Sequence, residues 1–221
     1  MKVVLISDTH EKHGQIKLPE GDLLIHCGDW TNKGSLDAMN SFLKWFSAQP
    51  FQYKIFIGGN HELGLDVGPT RVKKLDLINS FNNLIYLENS STIIDGIKIY
   101  GSPVTPFFYS WSWNVHRGEP IAQVWKNIPD DTNILITHGP PYAILDLVSL
   151  SPGEIRDVHQ GCEELIKRVK QLKHLKLHCF GHLHLGGHGS QIHREGGTAF
   201  VNAAMVDDGH RVVNQPVVIE L

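Results

Sequence analysis

The 221-residue sequence predicts a mixed α/β (α+β) fold, and three observations carry that expectation. Short apolar runs alternate with amphipathic segments through the N-terminal half. The second half is richer in strand-length apolar runs. Most of these runs stop abruptly at glycine and a polar side chain, as strands do when they open into loops. No internal repeat, low-complexity tract or linker divides the chain, so one domain spanning residues 1–221 is expected.

Val3–Ile6 reads as a buried first strand that leaves through Ser7-Asp8-Thr9-His10. Leu23–Cys27 is the second and stops at Gly28-Asp29. Ser35 is placed to cap a helix whose apolar stripe is Leu36, Met39, Leu43 and Phe46, widened by Phe42. Tyr53–Ile57 is a third strand, ending at Gly58-Gly59-Asn60-His61. Pro69 opens another helix, with Val72, Leu75 and Ile78 on one face. Leu84–Leu87 follows as a strand, and Thr92–Ile94 with Ile97–Tyr100 forms a hairpin around Asp95-Gly96. Ile134–Thr137 is a buried strand ending at His138-Gly139. Leu165, Ile166, Val169 and Leu172 mark a helix, and Leu175–Phe180 is a strand ending at Gly181-His182-Leu183-His184. Phe200-Val201 and Val217–Leu221 close the chain as strands. The irregular, aromatic-rich stretch 102–120 is expected to be a long functional loop.

Composition narrows the function classes. Apolar residues make up 41% and charged residues 19%, which suits a packed core and excludes a disordered chain. No apolar run is long enough to span a membrane, and Val3–Ile6 is too short for a signal-peptide core, so a cytoplasmic protein is expected. Cys27, Cys162 and Cys179 are scattered without CxxC spacing, which fits a reducing compartment. The net charge of −3 argues against a nucleic-acid-binding face. Fourteen histidines are the one outlying count, and histidine is the commonest metal ligand.

Strand exits carry that excess. Asp8 and His10, Asp29, Asn60 and His61, His138, and His182 and His184 each follow a strand. Loops at the carboxyl ends of neighbouring strands converge, so residues far apart in sequence can share a site. Carboxylate, amide oxygen and imidazole suit hard or borderline divalent ions. Such a set is too large for one ion that keeps an open position. It suits two ions sharing a carboxylate, and metals ~3.5–4 Å apart clamp both oxygens of an in-line phosphoryl displacement.

Asp8-Thr9-His10, Gly28-Asp29, Gly59-Asn60-His61-Glu62, Thr137-His138-Gly139-Pro140-Pro141 and Gly181-His182-Leu183-His184 resemble, in order, the five motifs of the calcineurin-like metallophosphoesterases. Residues 59–66, 100–117 and 137–141 further resemble the branch of metallophosphoesterase domain-containing proteins. The resemblance implies a four-layer α/β/β/α sandwich of two mixed sheets flanked by helices. It implies that Asp8, His10, Asp29 and His184 hold one metal, that Asn60, His138, His182 and the shared Asp29 hold a second, and that His61 is the non-ligand acid. Manganese is the favoured ion, with iron and zinc as alternatives. No ligand position departs from the pattern.

The expected reaction is in-line attack of a metal-activated hydroxide on phosphorus, with His61 protonating the leaving group. Phe107, Phe108, Tyr109, Trp111 and Trp113 could wall a nucleobase or aryl group, or simply pack under the loop. Trp113, His116 and Arg117 are the candidate substrate contacts, Arg117 as a bidentate phosphate partner. The motif loops hold no lysine or arginine, which tilts the expected small phosphoester substrate toward a diester, with cyclic nucleotides the nucleotide class to test. A phosphomonoesterase is the alternative within enzymes. A metal-binding scaffold with a vestigial site is the alternative outside them, and it would show a broken ligand set.

Overall fold

The computed structural model describes residues 1–149, 157–184 and 191–221. In chain order the elements are β1 (Lys2–Ile6), β2 (Leu23–His26), α1 (Leu36–Ser47), β3 (Tyr53–Phe56), α2 (Arg71–Asn79), β4 (Ile85–Tyr86), β5 (Ser90–Ile94), β6 (Ile97–Ser102), β7 (Thr105–Pro106) and β8 (Asn114–Val115). Then come α3 (Glu119–Trp125), β9 (Ile134–Thr137), β10 (Leu147–Ser149), β11 (Asp157–His159), α4 (Glu163–Val169), β12 (Leu177–Phe180), β13 (Ile192–Glu195), β14 (Thr198–Asn202) and β15 (Val217–Glu220).

Two mixed sheets dominate. One has the order β15-β1-β2-β3-β4 and the other β13-β14-β12-β9-β6-β5. β1, β2, β3 and β4 run parallel, as do β6, β9, β12 and β14, while the strands β15, β13 and β5 pair antiparallel. Side-chain alternation builds the layers. Val3 and Leu5 of β1 pack with Leu23, Ile25, Ile134, Ile136, Leu177 and Cys179 between the sheets. Val4 and Ile6 face the other way, among Met39, Phe42 and Phe46 of α1. On the second sheet Leu135 and Phe180 face outward, in one cluster with Ile121 and Trp125 of α3 and Leu165 of α4. This is the expected four-layer sandwich, and continuous apolar strands are the consequence of burial on both faces.

Local chemistry explains the elements. Ser35 caps α1 by accepting a hydrogen bond from Ala38 N at 3.2 Å. The β5–β6 hairpin turns through Asp95 (φ 49°) and Gly96 (φ 79°), the backbone that Asp-Gly favours. The second helix differs from expectation. α2 starts at Arg71 and buries Lys74 with Ile78, leaving Val72 68% exposed. Lys74 lays its aliphatic stem inward and its ammonium donates to the Leu63 carbonyl, so a charged residue fills the face that periodicity gave to valine. The stretch 102–120 carries the short parallel pair β7–β8 and the start of α3. Among the described residues no helix is long and apolar enough to cross a membrane.

Candidate metal centre

The exits of β1, β2 and β3 in one sheet meet the exits of β9 and β12 in the other. The backbone there is unusual: Asp8 (φ 50°), His10 (φ 40°), Asp29 (φ 56°) and His182 (φ 68°) are all left-handed. Such conformations cost energy in non-glycine residues and persist where the surroundings fix them. Asp8 N donates to Gly28 O, His10 N to Asp29 O, and His182 N to both Asp8 carboxylate oxygens at 3.0 Å. Gly181 is required by close approach, because a Cβ there would overlap Asp8 Oδ2 and Ser7 Oγ.

Three groups of side chains bring ligand atoms within 4.8 Å of one another: Asp8, His10 and His184; His10, Asp29 and His61; and Asp29, His138 and His182. Asp29 is common to the last two. Its Oδ2 faces the Nε2 atoms of His138 at 3.2 Å, His10 at 3.9 Å and His61 at 4.0 Å. His138 Nδ1 donates to the Cys27 carbonyl at 2.9 Å, which leaves Nε2 as the atom presented inward, 2.8 Å from Asn60 Oδ1. His10 and His184 oppose their Nε2 atoms at 3.3 Å. The structure therefore brings together all seven side chains expected to hold metal.

These groups fit cations. Burial raises the Asp8 carboxyl, but its contact with His184 and the charge of His138 outweigh that and hold it at about 2. Burial likewise opposes the Asp29 carboxylate, yet the surrounding imidazoles hold it well below the ordinary range. Burial pulls His138 down, and Asp29 overrides it, raising it to about 9. Desolvation pushes His10 and His182 down to about 4, leaving neutral imidazoles able to donate a lone pair. Buried carboxylates that seek positive charge, beside neutral inward-facing imidazoles, form a donor set for a divalent ion.

His61 stands at the open side, partly exposed. Its Nδ1 lies 2.8 Å from the Asn32 carbonyl, which can only accept, so Nδ1 carries the proton and Nε2 faces the cleft. The Trp111 ring lies 4.2 Å from the His61 ring, tilted 30°. The cleft measures about 740 Å³ and joins His61, Asn60, His182 and His184 to the aromatic rim of Phe107, Phe108, Tyr109 and Trp111.

The expected substrate contacts stand differently. Trp113 is 8% exposed and lies against Gly58, where a Cβ would collide with its ring; Trp111 lines the cleft instead. The cause is a left-handed Trp113 (φ 51°) whose N–H donates to Asp66 at 3.1 Å, turning its ring inward. His116 stacks on Phe107 at 4.8 Å and does not line the cleft. Arg117 reaches the wall, but its guanidinium donates to the Gly161 and Gln160 carbonyls and to Glu163, each within 2.7 Å. It braces the 160–163 segment.

Two contributors had weaker sequence signals. Glu62 is fully buried and accepts from Asp29 N, Gly59 N, Thr31 N and Thr31 Oγ1. Burial and the nearby Asp29 push its carboxyl up to about 8, while four donors favour its ionised form. It stands within the Gly-Asn-His-Glu motif, which was its only signal. His210 stacks on His10 at 4.1 Å and 15°. It follows β14, whose exit shares this end of the sheet, but lies several residues beyond the strand. His26, buried behind the site, accepts from Gly28 N at 3.2 Å and contacts Thr9 Oγ1 at 3.0 Å.

The profile of the calcineurin-like phosphoesterases matches residues 1–186, from β1 through the last histidines of the cluster. The chain belongs to this family. As a calcineurin-like phosphoesterase it is similar to metallophosphoesterase domain-containing protein 1 of Homo sapiens, 37% identical over 238 residues, covering all of this chain and 71% of that one. A UPF0046 protein of Caenorhabditis elegans is 36% identical over 227 residues, covering 99% of this chain and 74% of the other. A solved crystal structure shares the fold with a TM-score of 0.66 at 15% identity, covering 91% of this phosphoesterase and 89% of that chain. Family and donor set together identify a metal-dependent phosphoesterase.

Proposed function

We propose that this phosphoesterase is a phosphodiesterase working with two divalent ions, manganese foremost. The observation that carries the count is the position of Asp29 Oδ2, which faces His138 of the Asp29–His138–His182 cluster at 3.2 Å and His10 of the Asp8–His10–His184 cluster at 3.9 Å. Asp8, His10, Asp29 and His184 would hold one ion, and Asp29, Asn60, His138 and His182 the other. Two ions in that cradle would supply a nucleophile from water at neutral pH and neutralise charge on the phosphoryl oxygens. His61 is oriented by the Asn32 carbonyl and by Trp111 with Nε2 toward the cleft, so the doubly protonated ring would give its Nε2 proton to the departing oxygen and keep the Nδ1 proton on Asn32 O. Phe108, Tyr109 and Trp111 offer flat apolar faces to a base or aryl group.

Diester preference is supported by charge. Arg117 is the only lysine or arginine among the described residues lining the cleft, and Glu163 already pairs with it at 2.6 Å. A diester brings one non-bridging charge and a monoester two, so a cleft short of free cations favours the diester. Cyclic nucleotides combine a diester with a stacking base and are the first natural class to test. The three cysteines are buried and free, which supports a cytoplasmic setting.

The test is turnover of bis(p-nitrophenyl) phosphate and p-nitrophenyl phosphate, side by side, by metal-stripped protein resupplied with Mn²⁺. Faster diester turnover, lost when Mn²⁺ is withheld, is expected. Monoester preference would make it a phosphomonoesterase, and no turnover of either ester by metal-loaded protein would leave a highly selective enzyme or a scaffold.

A further inference from the structure

The loop that follows β14 reaches back over the metal centre, and nothing in the five motifs accounts for it. Val206 and Val212 bridge its base, and Met205 N donates to Ser7 O beside Asp8 at 2.9 Å. Asp207, 8% exposed, closes the loop internally. Its Oδ1 accepts from Gly209 N at 3.0 Å and Arg211 N at 2.9 Å, and its Oδ2 from Arg211 Nε at 2.8 Å. His210 N donates to Asp207 O at 2.8 Å, and His210 is left-handed with φ 54°. A short polar loop on the surface would not need such closure. Here it aims one ring at one place.

That place is His10. The two imidazoles stack at 4.1 Å with 15° between planes, while His184 lies 5.6 Å and His61 6.4 Å from His210. His10 is fully buried, and its Nδ1 has no hydrogen-bond partner among the described residues. Metal-binding imidazoles ordinarily donate the second ring N–H to a carboxylate, carbonyl or water, which fixes the ring for the ion. His138 follows that rule through Cys27 O, whereas among the described residues it is the His210 ring that meets His10. The same loop also places Asp208 Oδ1 3.8 Å from His184 Nδ1. Both imidazoles of the Asp8–His10–His184 cluster are thus approached from outside by residues 208 and 210.

We propose that residues 207–211 form a clamp on this cluster, in which His210 is a positioning residue that holds the His10 ring by stacking, in place of the missing hydrogen bond. The clamp rests on the metal-binding reading above and adds a part to it. A flat ring is what His210 contributes, so its nitrogens are dispensable and its plane is not.

The test is Mn²⁺ binding by isothermal titration calorimetry on the full chain and its His210→Ala, His210→Phe and His210→Asn variants, with thermal melts of the metal-free proteins. His210→Ala is expected to bind Mn²⁺ about ten-fold or more weakly, the usual effect of losing a ligand-orienting partner, with an unchanged melting midpoint. His210→Phe is expected to recover most of the affinity and His210→Asn little. Wild-type affinity in His210→Ala would overturn the proposal. So would recovery by Asn and not by Phe, which would assign a polar contact, or a matching fall in the metal-free midpoint, which would assign His210 to the fold. Absence of Mn²⁺ binding by the wild-type chain would overturn the metal reading itself.

Discussion

Glu62 is the residue through which fold and site are most tightly joined, and replacing it gives a quantitative expectation. Its Oε1 accepts from Thr31 N at 2.8 Å and Thr31 Oγ1 at 2.9 Å; its Oε2 accepts from Gly59 N at 2.7 Å and Asp29 N at 3.0 Å. The side chain is fully buried, so water does not already serve these donors. Each buried donor left without a partner costs about 1–3 kcal/mol. Glu62→Ala strands all of them, and even at the low end of that range the loss is about 4 kcal/mol, less whatever entering water restores. Glu62→Gln keeps the shape, but its NH₂ must face one donor pair, for about 2–6 kcal/mol. Because Asp29 N and Gly59 N are among the stranded groups, Mn²⁺ affinity should fall along with stability, by about ten-fold. Urea unfolding with a shared m-value measures the first effect, and calorimetric Mn²⁺ titration the second. A Glu62→Gln protein within about 0.5 kcal/mol of wild type would refute the reasoning, since it would mean that the Thr31, Gly59 and Asp29 donors are not held by Glu62 as described.

Other perturbations separate the site's parts. Gly181→Ala puts a Cβ onto Asp8 Oδ2 and Ser7 Oγ, so Mn²⁺ affinity should fall at least about ten-fold in a protein that still melts cooperatively; unchanged affinity would contradict the packing. His61→Ala should lower kcat by about 10²–10⁴ while leaving the bound-metal count intact, with a smaller loss for the good leaving group p-nitrophenolate than for an alkyl ester. Trp113→Ala should cost about 3–5 kcal/mol in urea unfolding as a core truncation, whereas Trp111→Ala should raise KM for aryl diesters with little loss of stability. Burial lowers His178 to about 3, below the ordinary imidazole value of 6.5. The unfolded chain therefore takes up that proton first, and the stability contributed above pH 6.5 is lost as pH falls from there toward 3. The slope is about 1.4 kcal/mol per pH unit, and His178→Asn should flatten urea-unfolding stability across that window by this amount.

The side chains that gather at the candidate metal centre were legible because their signal is local: an apolar run, a glycine and a ligand type, repeated at strand after strand. The left-handed backbone at Asp8, His10, Asp29 and His182 left no such mark, because its cause is a network of contacts from distant loops. Helix α1 was readable from its cap and stripe. The buried face of α2 was not, since Lys74 is drawn inward by the Leu63 carbonyl, which belongs to another segment. Between Trp111 and Trp113 the sequence offers equal aromatics, and only the Asp66 contacts to Ser112 Oγ and Trp113 N decide which ring turns into the core. Arg117 illustrates the same limit: its carbonyl and carboxylate partners lie more than 40 residues away, and they decide that it braces a loop. His210 is not legible in the sequence because it stands beyond the strand end, and a long-range stack gives no sequence periodicity.

The most direct test of the shared-carboxylate centre is the metal content of the chain. Mn²⁺-loaded protein, freed of excess ion by gel filtration, would be assayed by elemental analysis beside Asp29→Asn. Two ions per wild-type chain, with at most one retained by Asp29→Asn, are expected from a carboxylate that faces His10 of one cluster and His138 of the other. One ion or none in the wild type, or two retained in Asp29→Asn, would contradict a centre built on Asp29.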